Sequence, residues 1–171
     1  SAGLSDATQS IAVAYGAATK LVLTTQPVGF VNRTDFTTQP VITVQDASGN
    51  TVENSTISID VAIDSGSLTG STQVAAVNGV ASFTGLGKTG VIGDKTLTFT
   101  KTGGGLTSAT FGFTLTYGAA TKLTQTTLAA GFVNRTSFTT QPVIEIQDAD
   151  GNKVADSTAS VVVAMSNAVL T

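Results

Sequence analysis

Apolar residues along this chain fall in short runs that alternate with polar ones, the period-2 signature of strands with one face buried. Over 57–64 (ISIDVAID), Ile57, Ile59, Val61 and Ile63 share one face, while Ser58, Asp60, Ala62 and Asp64 share the other. Over 95–101, Leu97 and Phe99 point inward and Thr96, Thr98 and Thr100 outward. Over 109–117, Phe111, Phe113, Leu115 and Tyr117 lie on one side. At 40–46 (PVITVQD), Ile42 and Val44 take the inner face, leaving Val41, Thr43 and Gln45 on the face assigned to water. Clusters of Gly, Asn and Asp separate these runs, and helix signals are weak. Within 73–83 the pair Asn78-Gly79 is a strong hairpin signal, because both central residues of a type I′ turn need positive φ. With TKLVLTT at 19–25, the pattern predicts about seven strands in about 100 residues, the count of an immunoglobulin-like sandwich. The predicted core is Ile42, Val44, Ile59, Val61, Phe83, Leu97, Phe99, Phe113 and Leu115.

The runs recur. YGAATKL at 15–21 returns at 117–123, GFVNRT at 29–34 returns at 131–136, and FTTQPVI at 36–42 returns at 138–144, always 102 positions on. QDASGN at 45–50 returns as QDADGN at 147–152. The recurrence tests the strand faces: Thr43 becomes Glu145 while Ile42 and Val44 become Ile144 and Ile146, so a charge appears on the outer face alone. In the same way Ile57, Ile59, Val61 and Ile63 become Ala159, Val161, Val163 and Met165. The alignment assigns 1–16 as the closing strand of a preceding repeat, 17–118 as a complete repeat and 119–171 as the front of the next. The expectation is that the polypeptide continues through further copies in both directions.

Composition narrows the partners. The chain is 41% hydrophobic and only 11% charged, so its surface rests on hydroxyls and small residues rather than ion pairs. The net charge of −3, with no basic run, argues against nucleic acid, which requires clustered Lys and Arg. Cysteine and histidine are both absent, which excludes thiolate sites, disulfides and Ser–His–Asp or Cys–His catalysis. No apolar stretch approaches the roughly 20 residues that cross a bilayer, so no membrane insertion is expected of this segment.

The pattern ATKL…FTTQPVITVQDASGN…VNGVASFTGL…TLTF…GLTSAT resembles the bacterial immunoglobulin-like repeats of very large surface and adhesin-type proteins. The resemblance covers essentially the whole chain. It implies an all-β protein of tandem immunoglobulin-like β-sandwich domains, exported and used as stalk or adhesive surface.

Several residues invite a sharper reading. Asp148-Ala149-Asp150-Gly151-Asn152 resembles the start of a calcium loop, but such a loop needs a bidentate carboxylate about six residues past the glycine. Positions 157 and 158 are Ser and Thr, Asp156 is out of register, and the first repeat has Ser48 where the second has Asp150. The favoured reading is a strand-connecting turn; calcium is the alternative. Lys20 and Lys122 recur at the repeat entry and raise the question of a side-chain cross-link, yet no inward carboxylate recurs beside them and Glu145 replaces Thr43. A solvated lysine at the junction is preferred. Asn32, Asn54 and Asn134 head glycosylation sequons that arise easily in so Thr-rich a chain. The glycine-rich stretches GVNGVA and KTGGGL open no helix, which removes a phosphate-cradling role. Asp60 and Asp64 would sit outward on one strand, and Asp60 becomes Val162, so a carboxylate pair does not recur. Phe30 and Phe132, in the GFVNRT loops, are expected to plug the sandwich end rather than bind sugar. No catalytic, cofactor-binding or metal-binding residue is assigned.

The expected function is therefore a non-enzymatic spacer at the cell surface, outside the cell. Its expected partners are the neighbouring repeats of the same chain. A self-assembling filament or lattice, partnered by other copies, and a module binding glycans or a host surface are the alternatives. The short junction Tyr117-Gly118-Ala119-Ala120-Thr121 lacks a flexible Ser/Gly run and predicts a semi-rigid rod.

Overall fold

The computed structural model describes residues 9–164, which form eleven β-strands and no helix. In chain order these are β1 (Ala18–Thr25), β2 (Val41–Asp46), β3 (Ser58–Ile63), β4 (Ser67–Thr69), β5 (Gln73–Ala75) and β6 (Val80–Ser82). They continue with β7 (Gly87–Thr89), β8 (Gly93–Lys101), β9 (Ala109–Leu115), β10 (Lys122–Thr127) and β11 (Val143–Gln147). All pairings between them are antiparallel. One sheet has the order β1-β2-β6, a second the order β5-β3-β8-β9, and β4-β7 and β10-β11 form two-stranded ribbons.

The three- and four-stranded sheets share one core. Ile42 and Val44 from the first meet Ile59, Leu97, Phe99 and Leu115 from the second, and all six are essentially excluded from solvent. All nine residues of the predicted core are buried. Phe83 and Phe99 pack edge to face, their centroids 5.5 Å apart, an arrangement favoured by the ring quadrupoles. Leu21, Phe36, Val52 and Leu86 extend the core, and Ala76, Ala81 and Ala109 fill the space between larger side chains. Leu21, Phe36, Val52 and Leu86 were not predicted.

Two expectations about strands are corrected. Asn78 (φ 51°) and Gly79 (φ 75°) both adopt positive φ, and Val77 and Val80 exchange backbone hydrogen bonds of 2.9 and 3.0 Å across them. The segments on either side nevertheless part at once: β5 joins β3, and β6 joins β2. The turn therefore carries the chain from one sheet to the other instead of closing a hairpin within one. Thr43, assigned to water, is only 6% exposed. β2 is the central strand of its sheet, so Thr43 is flanked by β1 and β6, and its hydroxyl lies 3.1 Å from that of Thr24.

The three-residue strands β4 to β7 raise the count over residues 18–115 to nine, above the seven expected. They are too short to show alternation. Residues 9–16 form no strand, although 1–16 were read as a closing strand; residues 1–8 lie outside the described residues. β10 and β11 repeat the pairing of β1 and β2, with Leu123 opposite Ile146 as Leu21 is opposite Val44. Val161 and Val163, read as inward-facing, are 39% and 78% exposed, because residues 160–164 pair with no other strand. Met165 lies outside the described residues.

Candidate functional site

Two recurring motifs of the sequence meet in space. The GFVNRT loop is fixed first. The Asn32 backbone N–H donates to Thr116 O (2.9 Å), Thr116 N–H donates to Phe30 O (2.8 Å), and Arg33 N–H donates to Lys88 O (2.9 Å). Phe30 anchors the loop from below, with its ring centroid 4.4 Å from that of Phe113 and 5.3 Å from that of Phe36. This is the end-plug expected of it. Arg33 takes φ of 63°, a left-handed conformation uncommon outside glycine. The loop thus sits at the end of β9, beside the point where the chain passes through Tyr117 and Gly118 into the next repeat.

The acidic turn arrives from the other side. Asp148 Oδ1 accepts from the backbone N–H of Asp150 and of Asn152, each at 2.9 Å, and Gly151 supplies φ of 88°. This is the strand-connecting turn the sequence favoured, with the aspartate bonding its own backbone. Its remaining acceptors face the first repeat. Asn32 Nδ2 donates to Asp148 Oδ2 and to Asp150 Oδ2, both at 2.8 Å, using both of its hydrogens. Asn32 Oδ1 accepts from Gly90 N–H (3.0 Å). Arg33 makes a two-pronged contact with Asp150, Nε to Oδ2 and Nη2 to Oδ1, both 2.8 Å, the geometry that makes Arg–carboxylate pairs strong and directional. Asn152 answers in the opposite sense: its Nδ2 donates to Gly90 O (3.0 Å) and its Oδ1 accepts from Ile92 N–H (3.1 Å). The junction backbone joins in, as Gly118 N–H donates to Asp148 Oδ2 at 3.0 Å.

The electrostatics follow from this wiring. Burial alone would raise the Asp148 pKa, but hydrogen bonds from Asn152, Asn32 and Gly118 outweigh it and hold the carboxyl well below the ordinary value. Asp150 is lowered to about 2, first by the Arg33 hydrogen bond and then by Asn32. Arg33 is correspondingly raised by Asp150. Among the described residues the one salt bridge is Arg33–Asp150, so a chain that uses few charges places its ion pair at this joint. Asn32 and Asp148 are each 1% exposed and Asn152 is 6% exposed. Unpaired, these groups would be expensive to bury; together they satisfy one another.

The other candidate residues fall elsewhere. The lone pairs a cation would need on Asp148 and Asp150 are taken by protein donors. Among the described residues no group of three or more acidic side chains is placed to hold a metal. Lys20 is half-buried on β1 and Lys122 exposed on β10. The buried lysine is Lys88, which sequence reasoning did not single out; its Nζ donates to Thr89 O, and burial lowers its pKa. Gly66 permits this, since a Cβ there would collide with Nζ. Asp60 does not pair with Asp64: it accepts from Gln73 and Thr102, whereas Asp64 accepts from the Thr96 amide. Asn32 is buried with its amide fully bonded, so its sequon is closed in the folded chain, while Asn54 and Asn134 are exposed. Phe132 is 73% exposed, and its ring packs edge to face on Phe138, 5.2 Å away.

The joint's two halves recur one repeat apart. In the first repeat, Gly16 N–H donates to Asp46 Oδ2 (2.8 Å) and Asn50 N–H to Asp46 Oδ1 (2.9 Å), matching Gly118 and Asn152 on Asp148. The Asp46 carboxyl is lowered to about 2, first by Gly16 and then by Asn50. The acidic turn is thus a device by which each repeat grips the backbone of the junction that leads into it.

Comparison with known proteins adds little to this geometry. No family model matches the chain, and no curated protein matches it. Two crystal structures of a Parabacteroides merdae β-glucuronidase, one with glycerol in the active site, are similar at TM-scores of 0.43 and 0.44 and 19% and 18% identity. They cover 60% and 61% of this chain, which spans 13% of theirs. A likeness this partial carries neither a fold assignment nor an activity.

Proposed function

We propose that the chain is a structural spacer: tandem immunoglobulin-like domains, framed at 17–118 with the next beginning at 119, within the stalk of a large exported surface protein. Length, not catalysis, is its product. The observation that carries this reading is the clasp of Asn32 and Arg33 on Asp148, Asp150 and Asn152. A linker that merely tethered two modules would leave these side chains in water. Here Asn32, Asp148 and Asn152 are buried, Arg33 and Asp150 are ion-paired, and all five bond across the joint, so the second repeat is held at a set angle to the first. A regular array of such joints is a rod. The resemblance of the repeats to those of bacterial surface proteins supports the extracellular placement, and the low charge suits a surface without strong electrostatic partners.

Immunogold electron microscopy of the source cells, with antibody against this chain, tests the proposal. Label along thin unbranched surface stalks is expected. Label confined to the cell interior, or to an ordered two-dimensional lattice, contradicts it.

A further inference from the structure

Lys88 is fully buried in the first repeat, yet no carboxylate pairs with it among the described residues. An ammonium group carries three donors. Here a single acceptor, Thr89 O, receives one of them. Burying a charge without an ion pair is costly, and an apolar side chain of the same length would fill the space without that cost.

The place of Lys88 in the fold supplies a reason for an amine there. Strand β7 lies between β4, where Leu68 is opposite Lys88, and the segment that carries the clasp. On the clasp side Asp35 bridges Gly87, Phe36 N–H donates to Leu86 O (2.8 Å) and Arg33 N–H donates to Lys88 O (2.9 Å). Past Thr89 the chain runs at once into Gly90 and Ile92, whose backbone groups form the socket for Asn32 and Asn152. Gly90 takes φ of 126°, outside the range other residues favour, and has no side chain to hold it there. The Lys88 side chain folds back on this stretch and bonds the carbonyl at its root. Gly66 leaves the room for it: a Cβ at that position would strike Nζ and lie 2.6 Å from Thr89 O.

We propose that Lys88 is a positioning residue for the joint: by holding the Thr89 carbonyl it fixes the Gly90–Ile92 backbone in the shape that Asn32 and Asn152 grip. This deepens the spacer reading and rests on it. The Lys88 hydrogen bond stays within the first repeat, so the second repeat feels it through the socket.

The chain contains no cysteine, so Lys88→Cys gives a single thiol that can be alkylated in denaturant before refolding. Aminoethylation rebuilds a side chain of lysine length with its amine. Propylation builds the same chain with a methyl in place of the amine. Amide hydrogen exchange of the full-length chain, followed by NMR, compares the two. In the propyl form, protection of the Ile92 amide should fall about tenfold, the scale of one lost hydrogen bond. Protection of Leu97, in the middle of β8, should hold. The aminoethyl form should match the parent at both positions, and Lys88→Met, which needs no alkylation, should repeat the propyl result. Equal Ile92 protection in the two alkylated forms overturns the proposal. So does a propyl form that loses protection at Leu97 as well, since Lys88 would then support the whole sandwich. With Ile92 protected in the parent chain, either of these results leaves the joint and the spacer reading in place. An Ile92 amide that exchanges freely in the parent overturns both.

Discussion

Asn32 and Asp148, 116 residues apart in the chain, share a buried 2.8 Å hydrogen bond that joins one repeat to the next. Asn32→Ala would strip one donor each from Asp148 and Asp150 and an acceptor from Gly90. Leaving such groups buried and unpaired costs about 1–3 kcal/mol. The Ile92 amide is the best reporter, because it is bonded to Asn152 across the joint and not to Asn32 itself. Its hydrogen-exchange protection should fall roughly tenfold or more in Asn32→Ala. Asn32→Asp, which sets a third carboxylate against two others, should lower it further. Unchanged protection would mean that the turn is held without the clasp.

Acid should open the same joint. Asp150 falls from the usual 3.8 to about 2, and Asp148 is lowered too. A carboxyl depressed on folding contributes stability that is fully present above its unfolded pKa and is lost as pH falls through its folded one. Protection at Ile92 should therefore be flat above about pH 4 and decline between about pH 4 and 2. A decline centred near neutral pH would contradict this wiring.

Within the sandwich, Phe99→Ala should cost about 3–5 kcal/mol in denaturant unfolding, the range for emptying an aromatic core site. Phe99 is fully buried against Phe83. A loss below about 1 kcal/mol would place Phe99 among ordinary surface positions.

The sheet-switching turn offers a paired test. Gly79→Ala puts a side chain at φ of 75°, with its Cβ 2.6 Å from Val52 O. The substitution should destabilise by more than about 1 kcal/mol, since neither the backbone nor the space permits it. Asn78→Gly, at φ of 51° on the exposed side of the turn, should stay within about 1 kcal/mol of the parent. Equal effects at both positions would show that the turn relaxes freely.

How legible each feature was depended on how local its cause is. β2, β3, β8 and β9 could be read directly because alternation over six or more residues leaves little choice of face, whereas β1 was expected as a strand with no face assigned and its buried Leu21 was missed. Phe36 and Leu86 escaped because they enter the core from loops, where no periodicity marks them. Thr43 was misplaced for a related reason: pleat parity finds its face, but burial there depends on strands β1 and β6, which parity does not see. The acidic turn was recognised as a turn from Asp, Gly and Asn alone. Its grip on Asn32 and Arg33 was not, since no sequence spacing states that residues 32 and 148 meet. One signal was present: QDA-x-GN and GFVNRT both recur at the same distance from the GAATK junction, as halves of a shared joint would.

The central claim is that this joint holds successive repeats at a fixed angle. Residual dipolar couplings on the labelled chain test it most directly, by comparing the alignment of strands β1–β9 with that of β10 and β11. The account predicts a common alignment tensor for both sets in the parent chain and a reduced tensor for β10–β11 in the Asn32→Ala, Arg33→Ala double variant. A reduced tensor for β10–β11 in the parent chain would mean that the repeats already move independently, and the rod would be a string of beads.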